Sequence, residues 1–390
     1  MAIKNFKGEL LREARQMRRM TITELAEKTG ISKQSLSLYE NGENKPDGDN
    51  VFKLAQQLQV PFDYFIQSDG IVFAPTTTYF RSLSSITKKA RISINLKLKY
   101  IARMYEALSE LITFPTYSVP HNFPELIHED EVENIAENLR QEWELGNEPI
   151  EDMQYLLESH GILVTAIDAD DVGIDAFSKK FNLINDGINK DVYIVAINKC
   201  GKTLSRINFD LAHELGHILM HPWTEDLESL SHDEFRNIER QANKFAGAFL
   251  MPAEKFRESV SGSNLAGYNH LRNIWHVSIQ AMIYRAHELE CISLNQYQYL
   301  MRKISQLGWR KIEPGDEGYE PHKNVFESAI DLLKEDGFSA RHIINLFKKY
   351  GVLLYPSDIE DLLGLENGSL TMDSAQDVKK ILYIRHGEDM

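Results

Sequence analysis

Apolar positions recur at helical spacing along the first 66 residues and predict a cluster of short helices. The first helix is marked by four apolar residues, Leu10, Leu11, Ala14 and Met17. The runs TELAEKTG and SKQSLSLYENG predict two further helices, and NVFKLAQQLQVPFDYFI completes the apolar core. Gly30 can adopt the positive φ of the tight turn between the second and third helices. Two helices joined by so short a turn predict a helix-turn-helix.

Beyond this cluster the pattern predicts a connector and further helices. Residues 71–78 read as a linker, and residues 78–112 repeat apolar positions at the spacing of one long helix. Three prolines between 114 and 126 mark the next boundary. Helices are predicted over 265–310, and helical hairpins with breaks at Gly337 and Gly351 over 320–390.

Composition favours a folded protein with several domains. The 390 residues correspond to two to four domains at roughly 100–200 residues each, and a hydrophobic fraction of 43% excludes global disorder. No stretch approaches the roughly 18 apolar residues of a membrane-spanning helix, and the first residues lack the apolar segment of a secretory signal. Cys200 and Cys291 show no spacing pattern, so we expect no disulfide framework and a cytoplasmic location.

Charge is distributed unevenly along the chain. Residues 1–69 are neutral overall and residues 70–115 carry a net charge of +5, although the whole chain carries −15. Nucleic acid can therefore approach the front of the chain more easily than the rest. The alternative, which charge alone favours, is a soluble acidic enzyme with a lysine-rich linker. The long basic helix is either a dimerisation or signalling helix that adds positive charge beside DNA, or a helix packed on the next domain with a solvated basic face.

The segment LREARQMRRMTITELAEKTGISKQSLSLYENGENKP resembles the phage-repressor-type (XRE, or Cro/C1) helix-turn-helix family. Thr21 or Thr23 can cap its second helix and Ser32 its third. The resemblance implies a five-helix DNA-binding domain that binds a double-stranded operator as a dimer. It places four residues where bases are read, namely Ser32, Lys33, Gln34 and Ser37. It also places Thr21 and Lys45 at phosphates, and Arg15 and Glu40 in an internal ion pair. The alternative is a helical protein-docking module.

A candidate metal site lies in the run RINFDLAHELGHILMHP. His213 and His217 are four residues apart, so a helix presents both imidazoles on one face, one turn apart. Glu214 follows the first histidine, as in the H-E-x-x-H arrangement of zinc peptidases, and can act as the general base. Gly216 weakens a helix by roughly 1 kcal/mol relative to Ala, which suggests that another backbone approaches closely there.

The third ligand is predicted on the following helix. Glu239 lies on the apolar face of HDEFRNIERQANKFAGAFLMP, where a carboxylate does not stay ionised without a cation. With His213 and His217 it forms a two-His, one-carboxylate set with an open position. The alternative is that Glu239 pairs with Arg206 or Arg236. His221 is interpreted as a helix-end histidine near the site. Asn243 and Arg206 are expected to orient the ligands.

Residues from about 125 to 310 resemble the ImmA/IrrE metallopeptidase family in GILVTAI, DAFSKKFN, DVYIVAINK, RINFDLAHELGHILMH and ERQANKFAGAFLMP. The resemblance implies a gluzincin-like α+β fold with a small sheet near 162–166, 175–179 and 192–198. It also implies a zinc-dependent endopeptidase, with manganese as another possible metal, that cleaves a repressor-type transcription factor.

These observations predict a multidomain, mainly α protein with an α+β core. Four regions are expected: a helix-turn-helix domain over 1–70, a linker and long basic helix over 71–124, a metallopeptidase domain over 125–310, and a helical region of open role over 311–390. The leading hypothesis is a DNA-binding regulator whose peptidase relieves repression by cleaving itself, a separate repressor or an antitoxin-like partner. The alternatives are a non-catalytic repressor that senses metal or a partner, and a toxin–antitoxin component.

Overall fold

The computed structural model describes residues 3–66, 87–118, 128–166, 175–185, 188–198, 202–221, 231–262, 264–310, 313–314 and 323–371. The chain divides into two compact units. Unit 1 comprises Met1–Ile71, Asn95–Ile112 and Phe326–Met390, and unit 2 comprises Val72–Ile94 and Thr113–Val325. In sequence, unit 2 therefore lies largely between two parts of unit 1.

Unit 1 begins with the predicted cluster of short helices. These are α1 (Gly8–Met17), α2 (Ile22–Thr29), α3 (Lys33–Glu40), α4 (Gly48–Leu58) and a 3-10 helix (Phe62–Ile66). Thr21, and not Thr23, caps α2 through a reciprocal pair of hydrogen bonds with Glu24, and Ser32 caps α3. Gly30 follows α2 with a φ of 71°, in the left-handed region that glycine adopts without steric cost.

The rest of unit 1 comes from distant parts of the sequence. Its helices are α5 (Lys88–Leu108, in unit 1 from Asn95), α14 (Val325–Glu335), α15 (Ala340–Lys349) and α16 (Pro356–Leu363). The predicted breaks at Gly337 and Gly351 both have positive φ and separate these C-terminal helices. The linker at 71–78, the start of the predicted long helix at 78–86 and residues 372–390 lie outside the described residues.

Two polar contacts join α5 to the helix-turn-helix cluster. The hydroxyls of Tyr64 and Tyr100 lie 2.7 Å apart in a buried pair, and Lys99 donates to Glu13 at 2.7 Å. The second half of α5 thus packs on the domain that precedes it, whereas one of the two sequence interpretations placed this helix on the domain that follows. Its basic residue Lys99 is used in this packing.

The C-terminal helices also contact the helix-turn-helix cluster within unit 1. Arg18, just after α1, donates to Asp358 of α16 at 2.8 Å, and the hydroxyl of Tyr355 donates to the carbonyl oxygen of Val60 at 3.4 Å. The described part of the C-terminal region is therefore built into the same unit as the N-terminal domain.

Unit 2 combines helices with a small sheet. In chain order its elements are α6 (Val132–Glu142), α7 (Met153–Ser159), β1 (Ile162–Ala166), β2 (Ala176–Asn185), β3 (Ile188–Ile197), α8 (Leu204–Met220), α9 (His232–Leu250), α10 (Ala253–Ser259), α11 (Leu265–Trp275), α12 (Ile279–Glu288) and α13 (Leu294–Gln306). In the described sheet the strand order is β1-β3-β2, with β1 parallel and β2 antiparallel to β3. The predicted mainly α architecture with an α+β core is confirmed.

The β2–β3 hairpin is longer than the sequence resemblance implied. The pairing runs from Ala176 opposite Ile197 to Asn185 opposite Ile188, ten residues on each strand. Polar residues in the middle of β2 do not end the strand, because Lys180 and Asn182 both reach Asp191 of the neighbouring strand. Cross-strand polar pairs of this kind let a strand continue through a stretch that is not apolar.

Helix α8 packs against α9, and Gly216 lies at their contact. A Cβ atom at Gly216 would lie 3.0 Å from Cδ1 of Phe245, closer than ordinary van der Waals contact. The predicted close approach is therefore made by an aromatic side chain and not by a backbone. Among the described residues, no helix is both long enough and apolar enough to cross a membrane.

Candidate metal centre

The two histidines of α8 point their ring nitrogens toward one another. His213 and His217 are separated by one helical turn, and their Nε2 atoms lie 2.9 Å apart. His217 is buried with a side chain 2% exposed, and His213 is half-buried. Helix α8, which bears both histidines, is held in place by apolar residues that pack in the core, namely Ile207, Leu211, Leu215 and Ile218.

Glu239 of α9 completes the cluster. Its Oε2 atom lies 3.4 Å from Nε2 of His213, and its Oε1 atom lies 3.4 Å from Nε2 of His217. The three side chains form a group of potential metal ligands among the described residues. Ligand atoms about 2.0–2.1 Å from a tetrahedral Zn²⁺ are about 3.3 Å apart, so these separations suit such an ion.

The alternative partners considered for Glu239 make contacts elsewhere. Arg206 donates to the carbonyl oxygen of Arg310, and Arg236 lies 4.0 Å from Asp233 on the exposed side of α9. This contact of Arg206 is not with a candidate ligand, so it does not support the predicted orienting role. Glu239 itself is 8% exposed and lies beside the two imidazoles.

The second ring nitrogens of the two histidines contact two further side chains, one of which contacts a third. Nδ1 of His213 lies 3.1 Å from Oδ1 of Asn243, the contact expected for an orienting residue. Nδ1 of His217 lies 2.8 Å from Nδ1 of His221, whose Nε2 lies 3.1 Å from Oε1 of Gln241. His221 immediately follows α8, as expected for a helix-end histidine. Gln241 was missed, although it lies only two residues after Glu239.

Glu214 directly follows His213 on α8 and is buried. Desolvation raises its pKa to about 8, Asp210 adds a smaller increase, and hydrogen bonding from Ser178 of β2 opposes it. Burial lowers the pKa of His221 to about 4, against a weaker opposing effect of Gln241, so its imidazole is neutral near pH 7. A nearby cation would favour the ionised form of Glu214.

An open cleft of about 680 Å³ adjoins the cluster within unit 2. Glu239 and Asn243 line it together with side chains of α8, α12 and α13, among them Arg206, Phe209, Tyr284 and Met301. Several of its charges are paired internally, since Lys202 contacts Asp210 and Arg285 contacts Glu133. A cleft of this size gives a segment of polypeptide access to the residues around the metal ligands.

The four predicted base-reading residues lie at the N-cap and along the first five residues of α3, and the two predicted phosphate contacts lie before α2 and after α3. Lys33 and Gln34 are exposed, whereas Ser37 is half-buried. Thr21 and Ser32 already use their hydroxyls as helix caps, which accept from Glu24 and Ser35.

Arg15 and Glu40, the predicted internal ion pair of this domain, contact one another. Lys45, a predicted phosphate contact, donates to the backbone. Arg15 and Glu40 form a two-pronged ion pair with N–O distances of 2.6 and 2.8 Å. The Glu40 side chain is only 3% exposed, so the pair is largely removed from water. Lys45 is exposed and donates to the carbonyl oxygen of Lys4.

The chain matches two protein-family models. Residues 11–65 match the helix-turn-helix model, and residues 157–287 match the model of the IrrE N-terminal-like domain. The second match includes the three candidate ligands and Glu214.

Curated relatives match the front of the chain. It is 39% identical to the HTH-type transcriptional regulator ImmR of Bacillus subtilis (strain 168) over 64 residues. This match covers 16% of this chain and 50% of that protein. Over 61 residues it is 39% identical to the HTH-type transcriptional regulator SutR of Escherichia coli (strain K12), 16% of this chain and 34% of that protein. The chain thus spans half or less of the length of these relatives. Both sequence resemblances are confirmed over the matched residues: 11–65 are similar to the helix-turn-helix family and 157–287 to the IrrE N-terminal-like domain.

Proposed function

We propose that this chain is a DNA-binding transcriptional regulator whose second unit is a metal-dependent endopeptidase that cleaves a repressor-type protein. The observation that carries the proposal is the convergence of His213, His217 and Glu239 from two helices, with the buried Glu214 next to His213 in the sequence. The family match supports the same assignment. The substrate is either another copy of this chain, a separate XRE-type repressor or an antitoxin.

The donor set suits a catalytic metal. Two imidazole nitrogens and one carboxylate leave an open position on Zn²⁺, and Mn²⁺ also accepts nitrogen and oxygen donors. When bound, such an ion acts as a Lewis acid that polarises the scissile carbonyl and makes water a better nucleophile. The sequence and the ligand geometry favour zinc, and manganese is the alternative.

Glu214 is the proposed general base and acid. Its carboxylate takes a proton from the water that adds to the scissile carbonyl carbon. The same oxygen then gives this proton to the leaving amine as the C–N bond breaks. Burial keeps bulk water away from this carboxylate and so favours direct proton transfer.

The front domain is the proposed DNA-binding part. Lys33 and Gln34 at the exposed start of α3 are placed to enter the major groove and hydrogen-bond base edges. Lys45 is the proposed phosphate contact, together with the backbone around Thr21. A homodimer on a two-fold operator is expected for such a domain.

The test compares two carboxylates of unit 2. Zinc-loaded full-length protein is incubated with a purified XRE-type repressor, and products are mapped by mass spectrometry. Glu214→Gln should abolish cleavage while the zinc content, measured by mass spectrometry of the metal, stays at one ion per chain. Glu254→Gln is the matched control, because Glu254 is on α10 and contacts Asn147.

The outcomes separate the hypotheses. Equal cleavage by the parent and by Glu214→Gln contradicts the catalytic role of Glu214. Stoichiometric zinc and operator binding without turnover of any repressor or of the chain itself would instead support the non-catalytic sensor. If deletion of a neighbouring gene kills cells only when this chain is also lost, the chain is a toxin–antitoxin component.

A further inference from the structure

Two polar side chains continue away from the candidate ligand His217 in an unbroken line. Nδ1 of His217 lies 2.8 Å from Nδ1 of His221, and Nε2 of His221 lies 3.1 Å from Oε1 of Gln241. All three residues are buried, at 2%, 6% and 4% exposure respectively. Because the line joins the end of α8 to the middle of α9, it connects the two helices that supply the ligands.

The chemistry of these atoms fixes where the protons lie. An amide oxygen only accepts, so Nε2 of His221 carries the proton that is donated to Gln241. A neutral imidazole has one N–H, so Nδ1 of His221 is an acceptor. Nδ1 of His217 must then carry its own proton and donate it to His221. This leaves the lone pair of His217 on Nε2, the atom that faces His213 and Glu239.

His213, the other ligand histidine, is held in the same tautomer by a single hydrogen-bond partner. Nδ1 of His213 lies 3.1 Å from Oδ1 of Asn243, so it also donates and leaves its lone pair on Nε2. Two lone pairs 2.9 Å apart, beside a carboxylate, repel one another unless a cation lies among them. The acceptors at Nδ1 therefore select the metal-binding tautomer of both histidines, and a cation among the two Nε2 atoms and the carboxylate removes the repulsion.

We propose that His221 and Gln241 are positioning residues, which hold His217 in the tautomer and ring orientation that bind the metal. His221 is therefore not a fourth ligand, although it repeats the four-residue spacing of His213 and His217. The role differs from structural packing, because it requires an acceptor at one defined atom and not only a side chain of similar volume. The inference rests on the proposed metal centre and is independent of the proposed peptidase activity.

The first test needs no variant. In full-length protein labelled with ¹⁵N-histidine and stripped of metal, long-range ¹H–¹⁵N spectra report which ring nitrogen carries the proton. The proposal expects His217 with its proton on Nδ1 and His221 with its proton on Nε2. A His217 proton on Nε2 would overturn it, whatever the variants show.

The second test measures zinc affinity by competition with a chromophoric chelator. His221→Leu removes the acceptor and should weaken zinc binding about 10–100-fold, the range found when a partner of a ligating histidine is removed. His221→Asn places an oxygen near the position of Nδ1 and should keep most of the affinity. Gln241→Leu should weaken binding less than His221→Leu, whereas Gln241→Glu keeps the acceptor and the affinity.

The matched control is His160→Leu. His160 is also packed in unit 2, stacked on Trp143 at 3.9 Å with Nδ1 2.9 Å from the carbonyl oxygen of Leu156. Its removal should lower thermal stability without changing zinc affinity. Equal zinc affinity of His221→Leu and the parent would contradict the positioning role. Equally weak binding by folded His221→Asn and His221→Leu would contradict it too, and a parent that binds no zinc would refute the metal centre itself.

Discussion

The two units place their functional side chains in opposite environments. In unit 1 the residues proposed to read DNA, Lys33 and Gln34, are exposed at the first turn of α3. In unit 2 the proposed ligands and base are largely withdrawn from water, and both Glu214 and Glu239 are buried. The difference follows from the partner, because a side chain must project to reach a base in the major groove, whereas a metal centre gains strength from low polarity and fixed donors.

The proposed sites of the two units also differ in how many helices form them. The proposed base-reading face is the single helix α3, which is capped by Ser32, and Thr21 caps the preceding helix α2. The metal centre requires α8 and α9 to pack correctly, since His217 and Glu239 are 22 residues apart. Substitutions at the two places should therefore affect different measurements, and the following predictions test that separation.

The largest effect is expected at the metal centre. Glu239→Gln removes the charged ligand and should reduce bound zinc from one ion per chain to a level below detection after dialysis. Operator binding, measured by fluorescence anisotropy, should remain within error of the parent. The exposed Glu258→Gln on α10 is the control and should keep its zinc. A Glu239→Gln protein that retains stoichiometric zinc would show that this carboxylate is not a ligand.

The next effect concerns the ion pair of unit 1. Glu40→Ala leaves Arg15 partly buried without its two-pronged partner, and breaking a buried pair costs about 3 kcal/mol. Chemical denaturation followed through the operator-binding signal should show this loss. Zinc affinity should not change. Glu43→Ala, at an exposed position three residues away, should be near neutral. A stability change below about 1 kcal/mol for Glu40→Ala would show that the pair contributes little.

The smallest effects are expected on DNA. Gln34→Ala should cost about 1–3 kcal/mol on the preferred operator and much less on a scrambled site, because a base contact carries sequence information. Lys45→Ala should weaken binding to both sites similarly and lower the salt dependence by about one counterion. Glu27→Gln on α2 serves as the exposed control. Equal losses on both sites for Gln34→Ala would remove it from the base-reading set.

Local patterns predicted most of the helix-turn-helix and the three potential ligands of the candidate metal centre. The spacing of His213 and His217 is enough to place both on one helical face, and an isolated carboxylate among apolar positions pointed to Glu239. Capping residues at Ser32 and the glycine at 30 are equally local, so their geometry follows from the sequence.

The features that escaped prediction depend on contacts between distant segments. Gln241 has no distinctive pattern, and it becomes significant only when α9 brings it against His221. The same holds for Arg18 and Asp358, which are 340 residues apart and join α16 to the N-terminal domain. The neighbour of Gly216 was predicted as a backbone and is the ring of Phe245, because periodicity indicates a close contact without identifying its source.

The interrupted course of unit 1 along the chain has a consequence for its biosynthesis. The ribosome releases α1 to α4 early, but Asp358 and Tyr355, which contact this cluster, are translated only after the whole of unit 2. Segments that emerge first generally fold first. The N-terminal cluster therefore lacks these contacts while more than 200 residues of unit 2 are synthesised. A nascent chain stalled before α14 would expose a surface that the finished protein covers, which makes it a natural client for chaperones.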